Sequence, residues 1–302
     1  MLCLSYADVT LARSEERRLA MKALILSGVF SLTLTGQALA WGQEGHSIVA
    51  EIAQRRLSPA AADLVKGLLG PGHSLASVAS WADTVRDERP ETYNWHFVDI
   101  PINVAKYSKD RDCKKNDQSG DCVIAALARL RDDLRCGSGE KKIEALKFIV
   151  HFIGDVHQPL HTVDELKGGN DIKVDIFMRG LTCTAKCEPK RKSSNFHTAW
   201  DSDLIQATTW SWGAYVDRLE DGWLKSAESK RAGIDGGTPV DWAEDTHKFA
   251  PIVWNSRPAD NVLDDRYLRD VLPTLDRQLG VAGLRLAKFL NDVSADKCPT
   301  PR

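Results

Sequence analysis

The chain has 302 residues, 43% of them hydrophobic, and its formal net charge at pH 7 is −2. That length is enough to bury one sizeable core, and a second domain is not required. The near-neutral charge excludes a general electrostatic attraction to nucleic acid, so any affinity for phosphate must come from bound metal or local groups.

The first forty residues have the features of a cleaved export signal. After a polar stretch, the chain from Met21 has one basic residue, an apolar run over residues 23–34 and the small-x-small sequence Ala38-Leu39-Ala40. The apolar run is too short for a membrane span. We therefore expect a leader and signal peptide over residues 1–40, with Met1 or Met21 as the start, and a secreted or periplasmic product that begins at Trp41.

Cleavage between Ala40 and Trp41 would create a metal ligand. The free α-amine of Trp41 would have an unperturbed pKa of about 8, so a metal ion can displace its proton. The amine nitrogen and the carbonyl oxygen of Trp41 can chelate one ion, and His46 can reach the same ion from the first turn of a helix. Export processing would then be a step in assembling the site.

Helical periodicity dominates the rest of the chain. It predicts helices over His46–Leu57, Pro59–Leu69 with Ser58 as its cap, Ser74–Val85, Asp121–Leu134, Lys141–His157, Asn195–Ile205, Trp210–Lys225, Val240–Phe249 and Asp264–Asn291. Pro273 is expected to break or kink the last of these. Strand patterns are limited to Tyr93–Ile100 and Asp171–Phe177, and polar loops are expected over Lys106–Gly120 and Cys183–Ser194. The pattern predicts one mainly α domain.

The segment His151-Phe-Ile-Gly-Asp-Val-His-Gln-Pro-Leu-His161 concentrates metal-binding residue types in an otherwise apolar stretch. His151 and Asp155 are four apart, so they share one face of a helix. A carboxylate on a buried helix is costly unless it is paired or bound to metal. Imidazole and carboxylate together are ligands that suit zinc. Pro159 is expected to end the helix and to turn His161 back toward it.

The same residue types recur in four other segments. These are Trp41-Gly-Gln-Glu-Gly-His46, Trp81-Ala-Asp83, Trp95-His96-Phe-Val-Asp99 and His197-Thr-Ala-Trp-Asp201. Together they hold too many ligands for one tetrahedral site, so two or three metal ions are expected. His157, although inside a motif, is read as a residue at the surface or behind the ligands, and His73 and His247 are read as ordinary histidines.

The exported part of the chain has an even number of cysteines, which predicts three disulfides. They are Cys113, Cys122, Cys136, Cys183, Cys187 and Cys298. Six cysteines allow fifteen pairings. Proximity along the chain favours Cys113–Cys122 and Cys183–Cys187, which leaves Cys136–Cys298.

In this order the motifs, with Gly168-Gly169-Asn170 between the last two, resemble those of the three-zinc, single-strand-specific nucleases and 3′-nucleotidases. That family shares a superfamily with zinc-dependent phospholipase C. The resemblance spans Trp41 to Asp201, and no ligand position is missing. It implies a single zinc-dependent nuclease domain over residues 41–302, with a mainly α, phospholipase C/nuclease-like fold and a short β-hairpin.

The resemblance also implies the ligands of three zinc ions. They are Asp83, His96, His151 and Asp155 for the first ion, Trp41, His46 and the bridging Asp155 for the second, and His161, His197 and Asp201 for the third. A hydroxide shared by the first two ions would attack phosphorus in line. The third ion would stabilise the leaving 3′ alkoxide.

Four further positions match substrate-binding residues of the family. Arg86 stands where the family has Lys or Arg near the phosphate, and Asn170 matches a residue that hydrogen-bonds the phosphate. Phe97 and Asp99 match a nucleobase pocket, in which stacking contributes about 1–3 kcal/mol for any base. Other readings stay open, with Arg86 as a solvated cation and Asp99 as an acceptor in a turn. The basic run Lys190-Arg191-Lys192 is read as a solvated loop.

The expected protein is an exported, monomeric endonuclease without a membrane span. Its substrates would be single-stranded DNA and RNA, cleaved to 5′-phosphorylated products, and 3′-nucleotides. Phospholipase C is the alternative. Its third metal site usually ends in Glu, whereas Asp201 fills that place here. The pair Phe97 and Asp99 also suits a nucleobase better than the quaternary ammonium of choline lipids, which needs an aromatic cage. A protein with structural zinc alone is less well supported, because structural sites are closed by four protein ligands.

Overall fold

Helices account for most of the structure, a computed structural model that describes residues 41–178, 188–209 and 211–298. The leader and signal peptide predicted over residues 1–40 lie outside the described residues. The prediction of a mainly α fold is confirmed. Within the described ranges, no helix combines the length and the apolar character that crossing a lipid bilayer requires.

The helices alternate with turns along most of the described chain. The α-helices are α1 (Gln43–Gln54), α2 (Pro59–Leu69), α3 (Leu75–Val78), α4 (Trp81–Val85), α5 (Lys109–Asp112), α6 (Val123–Cys136), α7 (Gly139–Asp155), α8 (Phe196–Thr198), α9 (Leu204–Thr208), α10 (Trp212–Asp221), α11 (Pro239–His247), α12 (Ala250–Ser256) and α13 (Asp265–Ala295). Pro90–His96, Pro159–Thr162 and Trp223–Lys225 are 3-10 helices, and Ala199–Asp203 is a π-helical turn.

The core is formed by the long helices α1, α6, α7 and α13. Helix α7 lies at its centre, because every residue from Phe148 to Asp155 is buried. Burying apolar surface on this scale is the main favourable term in folding. The two turns of α7 that carry His151 and Asp155 are therefore rigidly placed by packing on all sides.

A small sheet lies beside the helices. Strands β1 (Lys173–Met178) and β2 (Lys190–Asn195) are antiparallel, and β3 (Val262–Leu263) pairs in parallel with β1 to give the order β2-β1-β3. The expected hairpin is thus present, and Val174 and Ile176 of β1 alternate into the core. The prediction of a loop up to Ser194 is wrong from Lys190 onward, because the polar side chains there lie on a paired edge strand.

The strand predicted over Tyr93–Ile100 is also wrong. Most of it belongs to the 3-10 helix Pro90–His96, where a proline at the first helical position costs no hydrogen bond. Only Ile100 pairs as an isolated bridge, with Val163. The helix predicted over Ser74–Val85 is two helices, because Ser80 has a non-helical backbone with φ −100° and ψ 8°.

Two of the three predicted disulfides are confirmed. Cys113 is bonded to Cys122, and Cys136 at the end of α6 is bonded to Cys298 after α13. The predicted Cys183–Cys187 bond lies outside the described residues. Pro273 does not end α13, which continues through it as one helix.

Candidate metal centre

Eight of the predicted ligand residues meet in the interior of the protein. They come from α1, α4, the two 3-10 helices that end at His96 and Thr162, α7, α8 and the π-helical turn. They form a first cluster of His46, Asp83, His96, His151 and Asp155, and a second cluster of His161, His197 and Asp201. Asp83 is partly buried and the other seven are buried.

Asp155 is at the centre of the first cluster. Its Oδ1 lies 3.2 Å from His46 Nε2. Its Oδ2 lies 3.1 Å from His96 Nδ1 and 3.3 Å from His151 Nε2. One carboxylate oxygen therefore faces His46, and the other faces the remaining two imidazoles. This is the arrangement that a carboxylate needs to bridge two metal ions.

Asp83 is the second carboxylate of the first cluster. Its Oδ1 lies 3.7 Å from His96 Nδ1 and 3.6 Å from His151 Nε2. These separations are too long for hydrogen bonds. They fit two ligands on one tetrahedral zinc ion, since metal–ligand bonds of about 2.0–2.2 Å put neighbouring ligand atoms about 3.3–3.6 Å apart.

The second cluster has the same character. The two oxygens of Asp201 each lie 3.6 Å from an imidazole, Oδ1 from His161 Nε2 and Oδ2 from His197 Nε2. Gln158 Nε2 donates a 2.6 Å hydrogen bond to Asp201 Oδ1. The side chain of Gln158 also accepts a 2.6 Å bond from the backbone N–H of Leu160, so this glutamine is held at both ends.

Backbone carbonyls fix the orientation of three of the imidazoles. His151 Nδ1 donates to the carbonyl of Ala79 at 2.7 Å, and His161 Nδ1 to that of His96 at 2.8 Å. His197 Nδ1 donates to the carbonyl of Gly168 at 2.7 Å. A carbonyl oxygen only accepts, so each Nδ1 carries the proton. Each Nε2 is therefore left with the lone pair that binds a metal.

Two glycines of the motifs have a steric role at the ligands. A Cβ at Gly154 would lie 2.7 Å from His46 Nδ1, so α7 can pass the His46 ring only with glycine there. Gly168 has a φ of +60°, and a Cβ on it would lie 2.5 Å from the carbonyl oxygen of Leu160. Its left-handed conformation points its own carbonyl at His197.

The electrostatics favour bound cations over protonated histidines. Burial, with the neighbouring His151, lowers the pKa of His46 and of His96 well below the usual value. Burial also lowers the pKa of His161 to about 4, so these rings are neutral at pH 7 and can act as ligands.

Two of the three carboxylates, Asp155 and Asp201, are short of positive partners. Burial, with the charges of Asp83 and Asp201, raises the pKa of Asp155, and burial raises that of Asp201 to about 7. Among the described residues, several buried ligand atoms have no hydrogen-bond partner, including His46 Nε2, Asp83 Oδ1, Asp155 Oδ1, His161 Nε2 and Asp201 Oδ2. Orphaned buried polar atoms are rare, and here they face one another. Divalent cations would satisfy them.

Trp41, the ninth predicted ligand, lies against the same centre. It is fully buried, and its indole Cδ1 is within 3.6 Å of the position of a Cβ on Gly154. The N–H of Gly42 donates a 2.7 Å bond to the carbonyl of Asp201. The segment that would become the new amino terminus is therefore hydrogen-bonded to Asp201, a member of the second cluster.

Of the predicted phosphate contacts, Arg86 is the better placed. It is 6% exposed, so the reading as a solvated cation is wrong. Its charge adds to the fall in the pKa of His96 and partly offsets the rise in that of Asp155, which puts it near the first cluster. Asn170 follows the left-handed turn beside His197, and its side-chain amide donates to the carbonyl of Lys167 at 2.8 Å.

The predicted base pocket is at the surface. Phe97 is half-buried, and its carbonyl accepts a 3.0 Å bond from the N–H of Val123. Asp99 is exposed, yet the protein around its carboxyl desolvates it. This desolvation, with the charges of Asp164 and Asp112, raises its pKa to about 7.

Three residues have places that the sequence did not predict. His157 is fully buried, donating to the carbonyl of Ile153 at 2.6 Å and accepting from Arg285 at 2.9 Å, so the surface reading is wrong. Gln158 had a usable signal, because it is an amide inside a buried apolar motif next to a proline. Tyr93, 48% exposed beside Arg86, had no signal in its local pattern.

Known proteins match this chain over most of its length. The profile of the S1/P1 Nuclease family matches residues 41–295. Endonuclease 2 of Arabidopsis thaliana is 30% identical over 289 residues, which cover 84% of this chain and 90% of that protein. Nuclease P1 of Penicillium citrinum is 30% identical, with 84% and 97% covered. Nuclease S1 of Aspergillus oryzae is 28% identical, with 91% and 99% covered.

Proposed function

Because this chain belongs to the S1/P1 nuclease family, a family of hydrolases, we propose that it is an exported, zinc-dependent endonuclease. Its substrates are single-stranded DNA and RNA, which it cleaves to 5′-phosphorylated products, and 3′-nucleotides, from which it removes the phosphate. The observation that carries the proposal is the convergence of eight buried imidazoles and carboxylates in two adjoining clusters.

Three zinc ions per chain fit the donor atoms of these clusters. The proposed ligands are Asp83, His96, His151 and Asp155 for one ion, Trp41, His46 and Asp155 for the next, and His161, His197 and Asp201 for the last. Zinc bound there supplies an activated water and positive charge to the phosphoryl group. The neutral, oriented imidazoles and the bridging position of Asp155 support this assignment.

The remaining residues bind and orient the substrate. Arg86 presents a planar guanidinium that can donate two parallel bonds to two phosphate oxygens. Asn170 donates to the phosphate when its amide leaves the carbonyl of Lys167. Phe97 stacks on a base and Asp99 hydrogen-bonds the base edge, so an unpaired base is required. Gln158 keeps the carboxylate of Asp201 turned toward its two histidines.

Processing completes the site in this proposal. Residues 1–40 are removed between Ala40 and Trp41, and the new α-amine joins His46 and Asp155 on one ion. Residues 41–302 then form a secreted or periplasmic, monomeric nuclease domain. Mass spectrometry of active protein should find an amino terminus at Trp41. Activity in a chain that begins elsewhere would contradict the role of the amine.

The test of the function uses the processed protein with four substrates: single-stranded DNA, single-stranded RNA, duplex DNA and phosphatidylcholine micelles. We expect hydrolysis of both single strands, slow attack on the duplex and none of the lipid. EDTA should abolish activity, zinc should restore it, and elemental analysis should give three zinc ions per chain. Hydrolysis of phosphatidylcholine alone, or full activity in EDTA, would refute the proposal.

A further inference from the structure

Tyr93 is an exposed aromatic residue beside the proposed active centre, and no function is assigned to it above. It belongs to the 3-10 helix Pro90–His96, three residues before the ligand His96. Nearly half of its surface, 48%, is open to solvent. A large ring so exposed at a catalytic centre is available to a substrate.

The ring of Tyr93 contacts two residues that are proposed to bind the substrate, Arg86 and Phe97. The guanidinium carbon of Arg86, a proposed phosphate contact, lies 5.3 Å from its centroid in a cation–π arrangement. The ring of Phe97, the proposed base contact, lies 6.1 Å away, centroid to centroid. Consecutive nucleotides are joined through a phosphate. A ring that contacts both of these residues is therefore within reach of the neighbouring nucleotide.

We propose, on the basis of the function proposed above, that Tyr93 is a second base-stacking residue. It holds the nucleotide adjacent to the one on Phe97. Stacking on an aromatic ring is tolerant of sequence, because every base has a π-face. Tyr93 therefore increases the affinity for strands of two or more nucleotides without adding base preference, and it contributes nothing to a 3′-mononucleotide.

The angle between the two rings adds selectivity for single strands. The planes of Tyr93 and Phe97 are 84° apart. Bases stacked on the two rings would be nearly perpendicular to each other. Neighbouring bases of a duplex are parallel, and separating them costs a few kcal/mol per step. A flexible single strand reaches the perpendicular arrangement at little cost, so the pair of rings discriminates against duplexes.

The test compares substrates of different length on the processed, zinc-loaded protein. The variants are Tyr93→Ala, which removes the ring, and Tyr93→Phe, which keeps the stacking face and the contact with Arg86. Phe177→Ala, on β1, is the matched control, because Phe177 is a 40% exposed aromatic residue outside the proposed site. Each protein is assayed for kcat/KM on a 3′-mononucleotide, a dinucleotide, a single-stranded oligonucleotide and its duplex. Binding of a labelled phosphorothioate single strand is measured separately.

Tyr93→Ala should lower kcat/KM about 5- to 160-fold on the dinucleotide and the single strand, the range expected for one lost stacking contact. The kcat/KM for the 3′-mononucleotide and for the duplex should stay unchanged in this variant. The preference for single strands over duplex therefore falls by the same factor. Binding of the labelled strand should also be weaker. Tyr93→Phe and the control should resemble the wild type. An equal loss on the mononucleotide would make Tyr93 a positioning residue for Arg86 and overturn the inference, as would no loss at all.

Failure of the inference is distinguishable from failure of the function. Wild-type protein without activity on the mononucleotide, the dinucleotide, the single strand or the duplex would refute the proposed nuclease and the inference with it. Active wild-type protein with an unaffected Tyr93→Ala variant would refute the inference alone.

Discussion

The candidate metal clusters and the proposed base-binding surface of this protein are neighbours with opposite construction. The cluster residues are almost all buried, and three of their imidazoles are fixed by backbone carbonyls. Tyr93 and Asp99 are exposed, and Phe97 is half-buried. Packing thus dictates the geometry of the clusters, while the residues proposed to bind the bases are open to solvent. Substitutions in the clusters should remove metal and turnover together, whereas substitutions at the surface should change binding and leave the metals in place.

The largest effect is expected from Asp155, whose two oxygens face different ligands of the first cluster. Asp155→Asn cannot bridge two ions and leaves a neutral amide among neutral imidazoles. We expect turnover of single-stranded DNA to fall about 10³-fold or more, with the zinc content falling from three ions to one. Activity and elemental analysis of the same preparation measure both.

Asp175→Asn is the matched control for Asp155→Asn, because Asp175 is a carboxylate that pairs with Arg191 on the sheet. It should keep full activity and all its zinc. Near-normal turnover in Asp155→Asn would contradict the bridging role.

Arg86→Ala should separate chemistry from metal binding. The guanidinium is buried near the first cluster, but it is not a ligand. Loss of one preorganised charge at the phosphate typically costs about 10²-fold in kcat, and Arg86→Lys should recover part of it, because lysine keeps the charge without the planar fork. Zinc content should remain unchanged in both variants. Measured loss of zinc would instead assign Arg86 a structural role.

Gln158→Ala should weaken the second cluster selectively. Without its amide, Asp201 loses the 2.6 Å bond that holds one carboxylate oxygen. Outer partners of metal ligands typically contribute about 10- to 100-fold in metal affinity. In competition with a chelator, the variant should therefore release the zinc ion of the second cluster more readily than the wild type does. The other two ions should be released as in the wild type.

Gln206→Ala provides the matched control for Gln158→Ala, since Gln206 donates a 3.1 Å bond to Glu44, which is not one of the proposed ligands. Three zinc ions with unchanged affinity in Gln158→Ala would show that the turn after α7 holds Asp201 without its help.

The sequence predicted the clusters better than the surface, for a physical reason. The i, i+4 spacing of His151 and Asp155, and of His197 and Asp201, encodes a shared helical face locally. Most of the helices were confirmed because their apolar period is equally local. The other proposed ligands were assigned to their metal sites through the family resemblance, because no i, i+4 spacing connects them. Their roles stay predictions.

The parts that the sequence missed depend on contacts between distant segments. Lys190–Asn195 has a strongly polar composition and is a strand only because it pairs with β1. Tyr93 acquires its position from Arg86 and from the 3-10 helix, which strand periodicity cannot reveal. The bond between Gln158 and Asp201 joins residues 43 apart in the chain.

The smallest expected effect is on stability, at Asp99. Its pKa is raised to about 7 by desolvation and by Asp164 and Asp112, against about 4 in the unfolded chain. The folded state therefore holds a proton that the unfolded state releases, and stability falls as the pH rises from about 4 to 7. Asp99→Asn removes this loss. The variant should match the wild-type Tm near pH 4 and exceed it by about 2 °C at pH 8.

Asp175→Asn should give the opposite sign in the same experiment. Hydrogen bonds from Arg191 and Ser193 hold the pKa of Asp175 below its usual value, so its contribution to stability is present above about pH 4 and lost below. This variant should melt below the wild type at pH 8 and approach it in acid. Thermal melts of the three proteins between about pH 2 and pH 8 decide the matter. A Tm difference between Asp99→Asn and wild type that stays constant with pH would contradict this prediction. It would mean that the Asp99 carboxyl is as solvated as its exposure suggests, and that Asp164 and Asp112 do not raise its pKa.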